Sequence, residues 1–358
     1  MRTFAGQYRT MEQQNFDPDG VGVDNGNYFG LPFTPETARL VLVSAPWDVT
    51  VSYGAGAAYA PDAIIEASTQ LDFYDPLSPD AWRRGIATAD VDYSLLETAQ
   101  RLRSDAVKVI EHLEQGGSPD DERTARRIRR IDEGCAAMNA SVAAQAARWL
   151  DDGRIVGLVG GDHSTPYGLI RELGRRHEGF GILHIDAHCD LREAYEGFEF
   201  SHASIMYNVL RDVEQVAKIV QVGVRDFSVG ELATARKSGR VELFDGLTLA
   251  AAKFRGETWE AQCRRIVEAL PEEVYVSFDI DGLSPDNCPH TGTPVPGGLS
   301  FDEALWLVDA VVRSGRRIIG FDVVEVAPAP GERIDAIVGA RVLWKMCGLA
   351  LRSEGGRQ

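Results

Sequence analysis

The sequence predicts an α/β protein, a mainly parallel sheet covered by helices. Three observations lead there. Short β-branched runs recur along the chain, segments with helical spacing separate them, and 358 residues that are 44% hydrophobic suffice for a sizeable core. Regular alternation of strand and helix is the mark of parallel strands joined by crossovers.

Taken in order, RLVLVSA from Arg39, RIVGLVG from Arg154, GFGILHID from Gly179, KIVQVGV from Lys218, EVYVSFDID from Glu273 and RIIGFDVVEV from Arg317 each read as a strand buried on both faces. Helices are expected over 97–115, 130–150, 166–177, 258–270, 301–314 and 334–351, where apolar residues return every three or four positions. Residues 1–35 read as an N-terminal extension and 36–358 as one domain. Within it, 116–133 (GGSPDDERTARRIRRIDE) is dense in charge and opens on turn residues; it is expected to be an inserted, exposed loop leading into a helix.

Charge and cysteine usage narrow the class. With 37 Lys+Arg against 54 Asp+Glu the chain carries −17, a field that repels phosphate backbones and anionic lipid, so neither nucleic acid nor a membrane is an expected partner. No run approaches the roughly 18 apolar residues of a membrane span. The cysteines (Cys135, Cys189, Cys263, Cys288 and Cys347) form no C-x-x-C pair, and the N-terminus lacks the apolar core of a secretion signal, so the cytoplasm is the expected location.

The informative feature is where the acids and histidines fall. Four of the strands run into GGDHS (160–164), DAHCD (186–190), DID (279–281) and the segment around Glu325. Ligands of parallel sheets bind beyond the carboxyl ends of the strands, where these clusters should meet. A single Asp or His at a strand end usually caps a helix or faces solvent, and Asp162 fits that role. Convergence of His163, Asp186, His188, Asp190, Asp279 and Asp281 is different, because four carboxylates packed together must take up protons or cations. Two divalent metals would balance them. The alternation Asp-x-His-x-Asp puts Asp186, His188 and Asp190 on one side of an extended chain and turns Cys189 away. Oxygen-rich donors with one imidazole per ion suit Mn2+, and are compatible with Ni2+, Co2+, Fe2+ or Zn2+.

GGDHS, HIDAHCD, SFDIDGLSPD followed by TGTPVPGG, and FDVVEV resemble the signature blocks of the ureohydrolase family, which includes arginases and agmatinases. The resemblance implies a three-layer α/β/α sandwich and a homo-oligomer, trimer or hexamer. It also implies one metal held by His163, Asp186, Asp190 and Asp279 and a second by His188, Asp186, Asp279 and Asp281, with a hydroxide between them, usually on manganese. Glu325 matches the carboxylate that pairs with the substrate guanidinium, Thr293 a polar neighbour of the reacting group, and His202 the histidine that shuttles a proton to the departing nitrogen. His202, Glu325 and Asp190 are thus the candidate catalytic residues, and Glu325, Thr293, Arg192 and His202 the candidate substrate contacts. The chemistry is coherent, since a guanidinium carbon is a poor electrophile and needs a strong nucleophile held against it.

Substrate identity is read from the loop around His202. Arg192, Phe198 and Phe200 stand where arginases place polar groups for the amino-acid end of arginine, and DLREAYEGFEFSHASIM resembles the agmatinase loop. The expected reaction is agmatine to putrescine and urea. The alternative is free guanidine or a short guanidino acid, with nickel in place of manganese, if the extra segments together with Tyr195, Phe198 and Phe200 close the pocket over a short substrate. His290 is expected near the pocket mouth. A non-catalytic, metal-bound binding protein of the same fold is the reading from another class, and a single-zinc deacetylase leaves two of the acids without a role.

Overall fold

The computed structural model describes residues 16–355. Its strands are β1 (Leu40–Ala45), β2 (Ile86–Thr88), β3 (Ile155–Gly160), β4 (Phe180–Ile185), β5 (Val216–Val222), β6 (Val241–Phe244), β7 (Glu273–Asp279) and β8 (Arg317–Val324). They form one sheet of order β2-β1-β3-β8-β7-β4-β5-β6, and every pairing is parallel. The six expected strands are all present. The two that the sequence did not reveal, β2 and β6, are short edge strands of three and four residues, too brief to show a pattern.

Among the described residues ten α-helices cover the sheet: α1 (Ala60–Ser68), α2 (Tyr93–Glu114), α3 (Glu122–Asp151), α4 (Tyr167–Gly174), α5 (Ile205–Asp212), α6 (Val229–Ser238), α7 (Gly246–Phe254), α8 (Trp259–Glu268), α9 (Phe301–Arg313) and α10 (Ile334–Ser353). Alternate strand residues feed two cores. Leu40, Leu42, Val274 and Val276 pack with α1, α8, α9 and α10; Val41, Val43, Tyr275 and Ile319 pack with α2, α3, α4 and α5. This is the three-layer α/β/α sandwich. No helix among the described residues is long and apolar enough to cross a membrane.

The charged segment 116–133 is not a loop as a whole. From Glu122 onward it is the first part of α3, with Ala125, Ile128 and Ile131 at helical spacing between arginines. Asp132 accepts a hydrogen bond from the Glu199 amide (3.0 Å), and a Cβ on Gly197 would press on Ile128. The helix therefore props the loop that carries His202 from beneath. Of the N-terminal extension, residues 1–15 lie outside the described residues. Of the rest, residues 19–26 are exposed, while Phe16 meets Phe73 and Trp82, and Phe29 meets Trp344 at 4.8 Å, within the core shared with α1 and α10.

Of four consecutive central strands, β3, β8, β7 and β4, each ends in one of the acidic or histidine motifs. Close approach of the chain at these ends requires glycine. Gly161 donates to the Ala45 carbonyl (2.9 Å) and its neighbour Asp162 to the Trp47 carbonyl (2.8 Å), so a Cβ at 161 would overlap the Trp47 carbonyl oxygen. Because the obstacle is backbone, Gly161→Ala should destabilise the protein by on the order of 3 kcal/mol. Thermal denaturation of the metal-free variant measures this, and an unchanged melting temperature would contradict the packing described.

Candidate metal centre and active site

His163 sits three residues beyond Gly160, which ends β3, and its ring is buried. Its Nδ1 lies 3.0 Å from Asp186 Oδ2, 3.0 Å from Asp190 Oδ2 and 3.1 Å from Asp279 Oδ2, yet makes no hydrogen bond. Its Nε2 is 2.8 Å from Ser277 Oγ, whose hydroxyl donates to Asp322 Oδ2 at 2.9 Å. With its own proton committed to Asp322, the serine oxygen accepts from Nε2–H. That fixes the tautomer and leaves the Nδ1 lone pair facing three carboxylate oxygens. A buried nitrogen lone pair surrounded by anionic oxygens makes chemical sense only around a cation.

A second cluster adjoins the first. His188 Nδ1 lies 3.1 Å from Asp281 Oδ2 and 3.4 Å from Asp186 Oδ1. Asp186 thus presents one oxygen to each cluster, the arrangement of a bridging ligand. Asp279 turns Oδ2 toward His163 and accepts from the Asp281 amide through Oδ1 (2.8 Å), while Asp281 Oδ1 accepts from the Ala187 amide (3.0 Å). All six residues expected as ligands are therefore brought together. The donor set, imidazole nitrogen and carboxylate oxygen without thiolate, fits a pair of hard or borderline divalent ions.

His184 also faces this cluster, and sequence reasoning missed it. It is not free to ligate through Nε2. Gln221 Nε2 is 2.9 Å from His184 Nδ1 and also donates to the Cys189 carbonyl, which makes Nδ1 an acceptor and leaves the proton on Nε2, donated to Asp186 Oδ2 at 2.7 Å. His184 orients Asp186 from behind. The periodicity of β4 held the signal, since an imidazole and a glutamine in fully buried strands need polar partners.

Electrostatics describe a site short of positive charge. Burial raises the pKa of Asp190 and Asp279, and the neighbouring carboxylates raise it further. Burial opposes charge on His188, but Asp281 and Asp186 outweigh it and push its pKa up to about 12; His163 is likewise driven well upward by its three acids. Without cations the cluster must hold protons that divalent ions would displace. Glu325 is also buried, and burial with the nearby Asp162 pushes its carboxyl well above the usual range. A guanidinium beside it would supply the missing counter-charge.

Two acids of the site have left-handed backbone, Asp190 at φ 54° and Glu325 at φ 61°, a conformation non-glycine residues adopt only when held there. Glu325 is held by its amide on the Gly161 carbonyl, by Thr291 Oγ1 on its own carbonyl (both 2.8 Å) and by the His163 amide on Oε1 (2.8 Å). Asp162 is buried and closes the turn after β3, accepting from the Ser164 amide; burial raises its pKa to about 7. It does not cap the following helix as expected, since α4 starts after Pro166 without a side-chain cap.

A cavity of about 520 Å³, lined by His188, Arg192, Tyr195, His202, Asp226 and Thr293 with Ser52, Tyr53, Pro294 and Val295, opens above the cluster. Arg192 lies over the Tyr195 ring (4.8 Å) and 3.8 Å from Glu231. His202 approaches Ser52 Oγ through Nε2 (3.5 Å) and Ser201 Oγ through Nδ1 (3.3 Å); burial first, then His188, lower its pKa to about 3, so its ring is neutral. Two expectations need correcting. Phe198 is fully buried in the core and Phe200 packs on Tyr167, so of the three aromatics only Tyr195 reaches the cavity. His290 is not at the mouth; its ring turns away to Asp335.

Residues 38–348 match the Arginase family. The chain belongs to that family. It is 32% identical over 322 residues, 90% of its length and 94% of the relative's, to the N(1)-aminopropylagmatine ureohydrolase of Thermus thermophilus. It is 29% identical to the agmatinase of Neisseria meningitidis over 95% of its length and 97% of the relative's. Among solved structures it is similar to proclavaminate amidino hydrolase from Streptomyces clavuligerus, with a TM-score of 0.73 at 23% identity over 94% of this chain and all of that one. The protein is thus a ureohydrolase of the arginase family, with agmatinase-type relatives.

In this arginase-family enzyme Ser277→Ala would leave His163 Nε2 without its acceptor, while Asp322 keeps the Tyr275 hydroxyl and the Phe278 amide, and would free the imidazole to adopt the wrong tautomer. One of two divalent ions should then bind roughly tenfold or more weakly while the other is unaffected. Metal titration followed by calorimetry checks this; equal, undiminished affinity at both sites would show that the Ser277 link does not orient the ligand.

Proposed function

We propose that the enzyme hydrolyses agmatine to putrescine and urea at a centre of two divalent ions, manganese in the native protein. The carrying observation is the cavity over His188 and His202, roomy and open because Phe198 is buried in the core and Phe200 packs on Tyr167. An aminobutyl tail has space there. Arg192, stacked on Tyr195 beside Glu231, is a partly engaged cation and a poor anchor for a substrate carboxylate. The same opening admits a longer tail, and the name of the Thermus relative favours N(1)-aminopropylagmatine as the second reading.

His163, Asp186, Asp190 and Asp279 would hold one ion, and Asp186, His188, Asp279 and Asp281 the other. Together the ions would supply water of lowered pKa, a strong nucleophile near neutral pH. Glu325 binds the guanidinium through its carboxylate oxygens and orients the central carbon. The neutral His202 ring, set between two serine hydroxyls, takes up the proton released on attack and delivers it to the departing amine nitrogen, without which the tetrahedral species would not collapse to urea. Thr293 lines the cavity beside the reacting group.

Urea release from agmatine, N(1)-aminopropylagmatine, guanidine, guanidinobutyrate and arginine, with manganese and nickel in parallel, tests the reading. Agmatine with manganese should give the highest kcat/KM; preference for guanidine or a guanidino acid would overturn it. Glu325→Gln should keep both ions and lose about a hundredfold in kcat/KM, the scale of a lost charge-assisted pair. Unchanged kinetics would mean that the guanidinium binds elsewhere.

A further inference from the structure

The loop of residues 288–293 is tied at both ends. At its start, the buried Asp335, in the first turn of α10, accepts three hydrogen bonds: from Cys288 Sγ (3.2 Å) and the His290 amide (3.0 Å) on Oδ1, and from His290 Nδ1 (2.7 Å) on Oδ2. A carboxylate only accepts, so Nδ1 carries the proton. At its far end Thr291 Oγ1 donates to the Glu325 carbonyl (2.8 Å), and the Gly292 carbonyl accepts from the Gly54 amide (3.1 Å). Gly292 lies so close to the Glu325 carboxylate that a Cβ there would stand 3.4 Å from Oε2. The chain from Asp335 through His290 and Thr291 to Glu325 is continuous.

We infer that His290 and Asp335 are positioning residues: their pairing holds the 288–293 loop in the shape that keeps the Glu325 carboxylate ready for a guanidinium, and so sets substrate affinity. The inference rests on the reading that Glu325 receives the guanidinium. Glu325 is in a left-handed conformation and Thr291 is one of the few groups holding it there, so a loop free to move lets the carboxylate move with it. The ordering then has to happen on binding, and raises KM. Once substrate has ordered the loop, the reacting groups stand as in the parent enzyme and kcat is kept.

The decisive variants are at His290, whose side chain is 35% exposed and whose loss opens no core cavity. His290→Ala should raise KM about three- to tenfold with kcat within about twofold, and should speed amide hydrogen exchange at residues 290 and 291. His290→Asn, whose amide can still donate to Asp335, should restore both readouts. Asp335→Asn should raise KM as His290→Ala does, and the double variant should be no worse than the poorer single, since both break one link. KM within twofold of the parent in His290→Ala, a fall in kcat at constant KM, or multiplicative effects in the double variant would overturn the inference. If the parent releases no urea from any guanidino compound, it is the proposed function that fails. Exchange then decides the clamp alone, and unaltered protection at residues 290 and 291 rejects it.

Discussion

Charge convergence at the carboxyl ends of four neighbouring strands is the constraint on which the rest of the structure depends. Asp186, Asp190, Asp279 and Asp281 are all buried and lie within a few ångströms of two imidazoles. Such a cluster is costly in a folded protein unless positive charge is supplied, and among the described residues only histidines pair with these four carboxylates, Arg225 nearby donating to the Asp281 carbonyl instead. Parallel topology brings the acids together; divalent ions would make their proximity favourable. The cluster is therefore a demand for cations built into the fold.

The surrounding polar network makes that demand specific. Ser277, Asp322 and Tyr275 fix the tautomer of His163, Gln221 fixes that of His184, and His184 in turn orients Asp186. These residues lie on the sheet itself, where strand pairing holds their backbones in register. The substrate side is built differently, from loops tied down by side-chain bonds: α3 props the His202 loop through Asp132, and Thr291 braces Glu325. Rigid strands carry the groups that orient the ligands, which sit at or just beyond the strand ends, while loops carry the groups that meet the variable part of a substrate.

Much of this was legible in the sequence, and the reason is local. The motifs GGDHS, DAHCD and DID compress each ligand set into a few residues at a strand end, so spacing alone reports direction and neighbourhood. The six candidate ligands and Glu325 were flagged in that way, as were the central strands, whereas His202 was singled out only through the resemblance of its loop to that of agmatinases. What was not legible depends on contacts between distant segments. Whether Phe198 points at the cavity or the core is decided by the packing of α3 and α5 and not by its neighbours in sequence. The destination of the His290 ring depends on α10, which begins more than forty residues later. Arginines masked the helical spacing of residues 122–129, and the edge strands were too short to declare themselves.

The central claim, that buried acids and imidazoles hold protons which a pair of ions displaces, is tested most directly by calorimetric titration of the metal-free protein with Mn2+ at neutral pH in buffers of different ionisation enthalpy. The account predicts two ions per chain and a net release of about two protons. One ion per chain, or two bound without proton release, would contradict it.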